Sequence, residues 1–211
     1  MATIPSSPPH EPEYAWELAT LYPAQGDWSE ADYLELTDGT NRGIEFTDGR
    51  VEFLPMPTDL HEALVHFLYR VLYAYLEAPQ LGTVYINGIR IRIRRNKLRM
   101  PDVAFLHKRN YHLRHNRMWD GADLAMEVVS DNSQDRLRDY ETKLVDYAEA
   151  GITEYWIVDF NARRVIVHRL EGGAYVVHRE FSPGEQAGSV LLPGFGVDVA
   201  ALFAAAEEVP E

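Results

Sequence analysis

The sequence of 211 residues contains no cysteine. Disulfides, thiolate metal sites and a nucleophilic cysteine are therefore excluded, and the absence fits the cytoplasm, where we expect the protein. No stretch reaches the roughly 20 apolar residues that span a bilayer. The first twelve residues are rich in proline and lack a basic segment followed by an apolar one. We therefore expect no membrane association and no export.

Positive charge is also scarce, since the net charge is −13, but it is segregated. Residues 90–117 hold ten of the twenty Lys and Arg and a single acid, so this tract carries +9 and leaves −22 for the rest. Such a tract is typical of an electrostatic guide for a phosphate backbone. The alternative is a solvated strand face followed by a loop. Arg92 and Arg94 are candidates for phosphate contacts under the first interpretation and solvated residues under the second.

Hydrophobic residues make up 46% of the chain, which is enough for the core of one domain. We expect residues 14–211 to form that domain and residues 1–13 to be disordered. The apolar periodicity predicts an α/β (α+β) fold with a mixed sheet flanked by helices. The predicted elements are a hairpin over 43–54 that turns at Asp48-Gly49, a helix over 59–77, strands around Ile91, Asp102 and Glu127, a helix over about 134–150 capped within Ser130–Ser133, a buried strand over 154–158, a hairpin around Gly172 and a short C-terminal helix.

Two carboxylates stand alone in apolar strand sequences. Asp102 lies within Met100–Leu106, and Glu127 lies within Leu124–Val129. An unpaired buried carboxylate costs several kcal/mol or more, so each strand needs a cation or a hydrogen-bond donor for its acid. Two such strands predict a shared cation.

Lys143 is the candidate cationic side chain. A helix that runs back along the Glu127 strand must advance roughly ten residues to return to the level of that acid, and Lys143 lies at about that distance into the helix. Helical geometry places it on the flank of the apolar stripe, from which it can reach inward. The alternative is an ordinary surface ion pair with Asp139, at the favoured i,i+4 spacing.

These residues resemble a known family of nucleases. Pro101-Asp102, the Glu127-Val-Val-Ser stretch and the segment from Lys143 to Asp159 are similar to the Uma-two family of endonucleases. That family belongs to the restriction-endonuclease-like, PD-(D/E)XK, superfamily. The resemblance extends over nearly the whole chain, and the combination of motifs is specific although each one alone is weak.

The resemblance implies a restriction-endonuclease-like core, with a curved mixed sheet bearing the acids and extra hairpins before and after it. It also implies metal-dependent phosphodiester cleavage with Mg²⁺ or Mn²⁺. Asp102 would be the aspartate that follows the proline, Glu127 the glutamate of the acidic-x-lysine motif, and the Val128 carbonyl an additional metal ligand. Where the superfamily pattern has lysine, this chain has Val129, and the displaced lysine matches Lys143.

Two further residues have two open interpretations each. Glu45 matches the family pattern as a member of the site, but a carboxylate of a hairpin is more often a surface residue. His61 falls on the inward face of its helix, at the beginning, where it could be a core-edge histidine or lie near the phosphate.

The sequence therefore predicts a metal-dependent endonuclease that acts on DNA, in which Lys143 assists the attack of water. A homodimer is plausible, because a two-fold axis relates two sites conveniently for cutting both strands of a duplex. One alternative is a catalytically inactive nucleic-acid-binding or scaffolding protein on the same fold. The other is a metal hydrolase that acts on RNA or another phosphoester.

Overall fold

The computed structural model describes residues 22–40, 42–129 and 136–207. The expected boundary between residues 13 and 14 and the expected helix cap within Ser130–Ser133 lie outside the described residues. The predicted α/β architecture, with a mixed sheet flanked by helices, is confirmed. Within the described ranges, no helix is both long and apolar enough to cross a membrane.

Helices and strands alternate irregularly along the chain. The elements are α1 (Glu30–Asp38), β1 (Ile44–Thr47), β2 (Arg50–Phe53), α2 (Asp59–Glu77), β3 (Gly82–Ile86), β4 (Ile91–Arg94), β5 (Lys97–Arg99), β6 (Val103–His107), a 3-10 helix (Lys108–Leu113), β7 (Leu124–Val128), a π-helix (Arg138–Thr142), α3 (Lys143–Glu149), β8 (Glu154–Asp159), β9 (Arg164–Glu171), β10 (Ala174–Phe181), β11 (Gln186–Gly188), β12 (Gly196–Asp198) and α4 (Val199–Glu207).

The main sheet has six strands in the order β10-β9-β8-β7-β6-β3. Strands β7 and β8 run parallel, and every other pair in this sheet is antiparallel. The predicted hairpin around Gly172 is the β9–β10 pair, which extends this sheet at one edge. Strand β3 forms the other edge.

A second, four-stranded sheet has the order β2-β1-β5-β4. Its β1–β2 hairpin turns at Asp48 and Gly49, whose φ angles of 46° and 83° belong to the left-handed region that such two-residue turns require. A side chain at Gly49 would also meet the Gly26 carbonyl oxygen, because a Cβ built there lies 2.2 Å from it. The sequence predicts that the Ile91 strand is followed directly by the strand around Asp102, and this is wrong. Strand β5 comes between them and belongs to this small sheet, and the chain passes to the main sheet at Met100 and Pro101 before β6 begins.

Each face of the main sheet is covered by different elements. Alternate residues of the strands point to opposite faces. One set, including Phe105, Met126 and Trp156, packs against α2 and α4. The other set, including Ala125 and Tyr155, packs against α3 and β4. Polar side chains of the second set therefore point toward the π-helix and α3.

The helix predicted over 134–150 is not a regular α-helix. Its described part contains the π-helix, in which the Lys143 amide donates to the carbonyl of Arg138, five residues back. Single π-helical turns are frequent at functional sites. Helix α2, in contrast, has the predicted bounds and begins at Thr58, whose hydroxyl accepts a hydrogen bond from the His61 amide.

Candidate active site

The antiparallel pairing of β6 and β7 brings the two isolated carboxylates together. Val103 pairs with Met126, so the same register continued by one residue sets Asp102 opposite Glu127. Both side chains leave the sheet on the face that α3 covers. Asp102 is not within the strand, as the sequence suggested, but immediately before it. Its Oδ2 accepts a hydrogen bond of 2.8 Å from the Val128 amide, which fixes it beside the end of β7.

Lys143 reaches the acids from the beginning of α3. Its Nζ lies 2.6 Å from Glu127 Oε2 and 3.1 Å from Asp139 Oδ1. Lys143 is 3% exposed and Glu127 is 2% exposed, so the ordinary surface ion pair with Asp139 is excluded. Lys143 and Asp139 do form a pair, but they form it inside the protein and share it with Glu127.

The second oxygen of Glu127 has its own donor. The Tyr147 hydroxyl donates a hydrogen bond of 2.5 Å to Glu127 Oε1. Tyr147 lies one helical turn beyond Lys143 on α3, so the helix delivers a cation and a neutral donor to one carboxylate. This arrangement fixes both oxygens of Glu127.

Asp102 is the more accessible of the two acids. Its carboxylate is 18% exposed, and His61, which is 16% exposed, lies beside it with Nε2 at 3.2 Å from Asp102 Oδ2. His61 is in the first turn of α2, where the cap on Thr58 fixes the backbone. His61 therefore lies next to Asp102, on the partly exposed side of the cluster.

The pKa values of these groups are shifted by burial and by one another. Burial acts to raise the pKa of Asp102, but hydrogen bonds from His61 and the Val128 amide, together with the Lys143 charge, hold it below the usual value. Burial raises the pKa of Glu127 well above its usual range, since Lys143 offsets only part of the effect. Burial likewise raises the pKa of Asp139. Burial acts to lower the pKa of Lys143, but Glu127 and Asp139 outweigh it and raise that pKa. Lys143 is thus charged at neutral pH.

Glu45 is buried behind this cluster, not on the surface. It is 1% exposed, and its Oε1 accepts a hydrogen bond of 3.1 Å from the Met100 amide. Its Oε2 lies 3.6 Å from Nε of Arg99, which also donates to Asp146 Oδ2 at 2.7 Å. Arg99 therefore links the Glu45 carboxylate of the small sheet to the Asp146 carboxylate of α3, the helix that also carries Lys143.

The donor set fits a hard divalent cation. In the described ranges, no three His, Asp or Glu side chains are grouped so that they could hold a metal by themselves. The predicted set needs only two carboxylates and a backbone carbonyl, because water and a phosphate oxygen can complete the shell. The charge of Lys143 acts on three carboxylates, those of Asp102, Glu127 and Asp139. A buried oxygen of Glu45 also lacks a hydrogen-bond donor from the described part of the chain. A further cation beside Asp102 and Glu127 would balance the excess of negative charge.

Most of the basic tract is paired with acids of the protein. Arg92 contacts Glu30 and Asp120, and Arg94 contacts Asp48 and Glu149. Either arginine would have to exchange a protein carboxylate for a phosphate in order to bind nucleic acid. The role of both arginines in nucleic-acid binding stays a prediction. The role of the Val128 carbonyl as a metal ligand also stays a prediction, because the contact that Val128 makes with Asp102 is through its amide.

The structure brings Asp102, Glu127 and Lys143 together, as the sequence predicts, but their supports were missed. The sequence offered Asp139 only as the partner in an alternative surface pair, and it gave Tyr147, Arg99 and Asp146 no role at the site. The i,i+4 spacing of Asp139, Lys143 and Tyr147 was the available signal, because it places all three on one side of a helix. No local pattern links Arg99 to Asp146, since they meet only through the tertiary fold.

Comparisons with known proteins agree on a nuclease-like fold. The model of the Uma-two family (Uma2), described as "Putative restriction endonuclease", matches residues 30–200. A crystal structure titled as a putative nuclease belonging to DUF820, from Anabaena variabilis ATCC 29413, superposes with a TM-score of 0.69. The two chains are 16% identical, and the match covers 85% of this chain and 99% of that one. No protein with a curated description matches the chain.

Proposed function

Because the chain belongs to the Uma2 family of restriction-endonuclease-like proteins, we propose that it is an endonuclease that hydrolyses phosphodiester bonds in DNA with a divalent metal ion. One observation carries the proposal. Asp102, just before β6, lies opposite Glu127 of β7, and Lys143 lies 2.6 Å from Glu127. Two acids and a lysine are the groups that metal-dependent phosphodiester cleavage uses.

Asp102 and Glu127 would hold Mg²⁺ or Mn²⁺, with the carbonyl of Val128 as a third oxygen ligand. When bound, the ion supplies positive charge to the phosphoryl oxygens and lowers the pKa of the attacking water. The Val128 amide and His61 keep Asp102 in place, and Tyr147 keeps Glu127 in place. These contacts preorganise the acids, so little reorientation is needed when the ion arrives.

Lys143 orients the attacking water or neutralises the charge that develops on the phosphate. It can act only as a cation, because the neighbouring carboxylates raise its pKa. Glu45 supports the site from behind through its charge, and His61 contacts the substrate at the open side beside Asp102. The protein would act in the cytoplasm, as a homodimer when both strands of a duplex are cut.

The test is cleavage of supercoiled plasmid DNA with Mg²⁺ or Mn²⁺, against a chelator control. We expect nicking or linearisation that the chelator abolishes and that Glu127→Gln lacks. Glu171→Gln is the matched control, because Glu171 ends β9 at the surface, far along the chain from the acids. Equal cleavage by Glu127→Gln would refute the site, and cleavage in the presence of chelator would refute the metal requirement.

A second candidate is a nucleic-acid-binding protein on the same fold whose acids are structural. It is favoured by the burial of Glu127 and Lys143, which are closed on each other and on Asp139. Folded protein that binds DNA but leaves plasmid intact with either metal would support this candidate. Cleavage of RNA alone under the same conditions would support the phosphoesterase alternative instead.

A further inference from the structure

Only some of the cations in the basic tract are paired with acids of the protein. Six of its ten cations have a close carboxylate partner, and these are Arg90, Arg92, Arg94, Lys97, Arg99 and Arg117. Among the described residues, Lys108 and Arg114 have no carboxylate partner, and Arg109 reaches Asp123 only at 4.0 Å. These three lie on or next to the 3-10 helix that follows β6. Uncompensated positive charge is thus concentrated on one short segment; Arg95, at the β4–β5 turn, is the remaining unpaired residue.

That segment borders a groove lined by tyrosines. A cavity of about 480 Å³ lies around the edge strand β3, between α2 and the 3-10 helix. Its tyrosines are Tyr69 and Tyr73 from α2, Tyr85 from β3 and Tyr111 from the 3-10 helix. Tyr73 is 45% exposed and Tyr85 is 39% exposed. Part of the Tyr73 side chain is therefore open to solvent beside unpaired cations, whereas the Tyr85 ring packs against Trp119 and Arg114.

Arg114 already shows the stacking that the groove offers. Its guanidinium carbon lies 5.3 Å from the ring centre of Tyr85 and 5.5 Å from that of Tyr111. It also donates hydrogen bonds to the Tyr85 hydroxyl and, at 3.4 Å, to Thr83 Oγ1. The Tyr111 hydroxyl lies 2.7 Å from Thr83 Oγ1. A cation is thereby held against two rings without a carboxylate to neutralise it.

The groove and the acids lie along the same pair of strands. Tyr85 pairs with Ala104, and the strand order brings the Asn87 amide to 3.2 Å from the carbonyl of Asp102. From Gly82 to Asn87 the extended chain covers roughly 17 Å at about 3.4 Å per residue. That is about five nucleotide steps of B-form geometry, and fewer for an extended strand. Tyr85 leaves the sheet on the face that carries Asp102, because Ala104 packs there, and Tyr73 borders the same edge from α2, which covers the other face.

We propose that this tyrosine-lined groove binds unpaired nucleotides of the strand whose phosphodiester lies at Asp102 and Glu127. The substrate class is then DNA with a single-stranded segment on one side of the cleavage point, and this inference rests on the proposed nuclease function. Bases stack on Tyr73, and phosphates lie on the Lys108 and Arg114 side. The α2 side is unsuited to phosphate, because the Glu77 carboxylate accepts the Tyr73 hydroxyl there.

The chemistry favours unpaired bases over a duplex. Inside a duplex, both faces of each base stack on the neighbouring base pairs, whereas an unpaired base can stack on an aromatic ring of the protein. A positive groove with aromatic rings is the usual platform for single strands, without base-edge readout. The groove therefore predicts little sequence preference.

The experiment is fluorescence anisotropy with a labelled twelve-nucleotide oligo-dT and a labelled duplex of equal length, in chelator so that no cleavage occurs. We expect wild type to bind oligo-dT more tightly than the duplex. Tyr73→Ala should weaken oligo-dT binding by about 5- to 150-fold, the effect of losing one stacked base. Tyr73→Phe keeps the ring and should bind like wild type. Lys108→Gln should reduce the slope of log affinity against log salt by about 0.7, the contribution of one phosphate contact.

Phe53→Ala and Arg95→Gln are the matched controls, because each removes an exposed aromatic or cationic side chain outside the groove. The groove proposal is overturned if Tyr73→Ala binds oligo-dT like wild type, or if the duplex binds as tightly as oligo-dT. If oligo-dT binding depends on Tyr73 but the protein never cleaves DNA, the groove proposal holds and the nuclease proposal fails. If the protein cleaves DNA but binding does not depend on Tyr73, the nuclease proposal holds and the groove proposal fails.

Discussion

The carboxylate of Glu127 lies 2.6 Å from Nζ of Lys143, although one residue is on a central strand and the other opens the helix that covers it. Asp139 shares the same ammonium group at 3.1 Å. Lys143 is therefore shared between two buried acids, and the stability of this region depends on it even without metal.

Removing the lysine charge should destabilise the protein. Lys143→Met leaves Glu127 and Asp139 buried without their cation, and breaking a buried ion pair typically costs about 3–5 kcal/mol. We expect a decrease of that order in the free energy of unfolding, measured by urea denaturation in chelator. Arg95→Met, at an exposed position, should change stability by less than about 0.5 kcal/mol. Equal midpoints and slopes for the two variants would mean that the ion pair does not form in solution.

Neutralising Glu127 should weaken the metal-free protein less than the loss of Lys143 and should remove its response to metal. Glutamine keeps one acceptor, but its NH2 group must face either the Tyr147 hydroxyl or the Lys143 ammonium, both of which donate to Glu127. In chelator, Glu127→Gln should therefore be less stable than wild type by about 1–3 kcal/mol, the cost of a buried donor without an acceptor. Wild type alone should gain about 2.7 kcal/mol at a Mn²⁺ concentration one hundred times the dissociation constant. Thermal unfolding with and without Mn²⁺ measures both effects, and an equal Mn²⁺ shift in the two proteins would contradict the assignment of Glu127 as a ligand.

Arg99 should be essential to the junction between the small sheet and α3. It is 5% exposed and lies between Glu45 and Asp146, so Arg99→Met would leave two buried carboxylates without it. We expect a loss of about 3–5 kcal/mol in the free energy of unfolding. Arg99→Lys keeps the charge but lacks the planar fork, so its loss should be smaller. Urea denaturation of both variants tests this order, and a lysine variant as unstable as the methionine variant would show that geometry, not charge, is what matters there.

The site could be predicted from the sequence because its charged residues interrupt regular patterns. Asp102 and Glu127 stand out as acids within apolar strands, and the rise of a helix and a strand places Lys143 at the level of Glu127. The hairpin at Asp48 and Gly49 was likewise readable from its turn residues. Each of these signals is local, or joins elements through simple geometry.

The remainder depends on contacts that no local pattern encodes. The π-helix arises where the Lys143 amide bonds Arg138, and nothing in the spacing distinguishes it from an α-helix. The pairing of Arg92 and Arg94 with acids of distant segments was equally hidden, because charge patterning shows how many cations there are but not which acids meet them. Burial of Glu45 follows from the packing of one sheet beside another, which its own hairpin sequence does not determine.

His168 should make the protein less stable as the pH falls below neutrality. It lies across from Tyr155 on the adjoining strand, with the two rings stacked at 5.9 Å, and it is 5% exposed. Burial lowers the pKa of His168, although the Tyr155 backbone and Glu180 act in the other direction. In the unfolded chain a histidine takes up its proton near pH 6.5, so the unfolded state gains protons first as the pH falls.

The contribution of neutral His168 to stability is therefore complete above about pH 6.5 and is lost as the pH falls through that value toward the lower pKa of the folded state. His168→Phe keeps a stacked ring but cannot be protonated. We expect the free energy of unfolding of wild type to fall relative to that of His168→Phe between pH 7.5 and 5.5. The difference between the two proteins cancels the titration of every other group, including His61. A difference that stays constant, or that behaves alike for His178→Phe at an exposed position of β10, would show that His168 is not held neutral by burial.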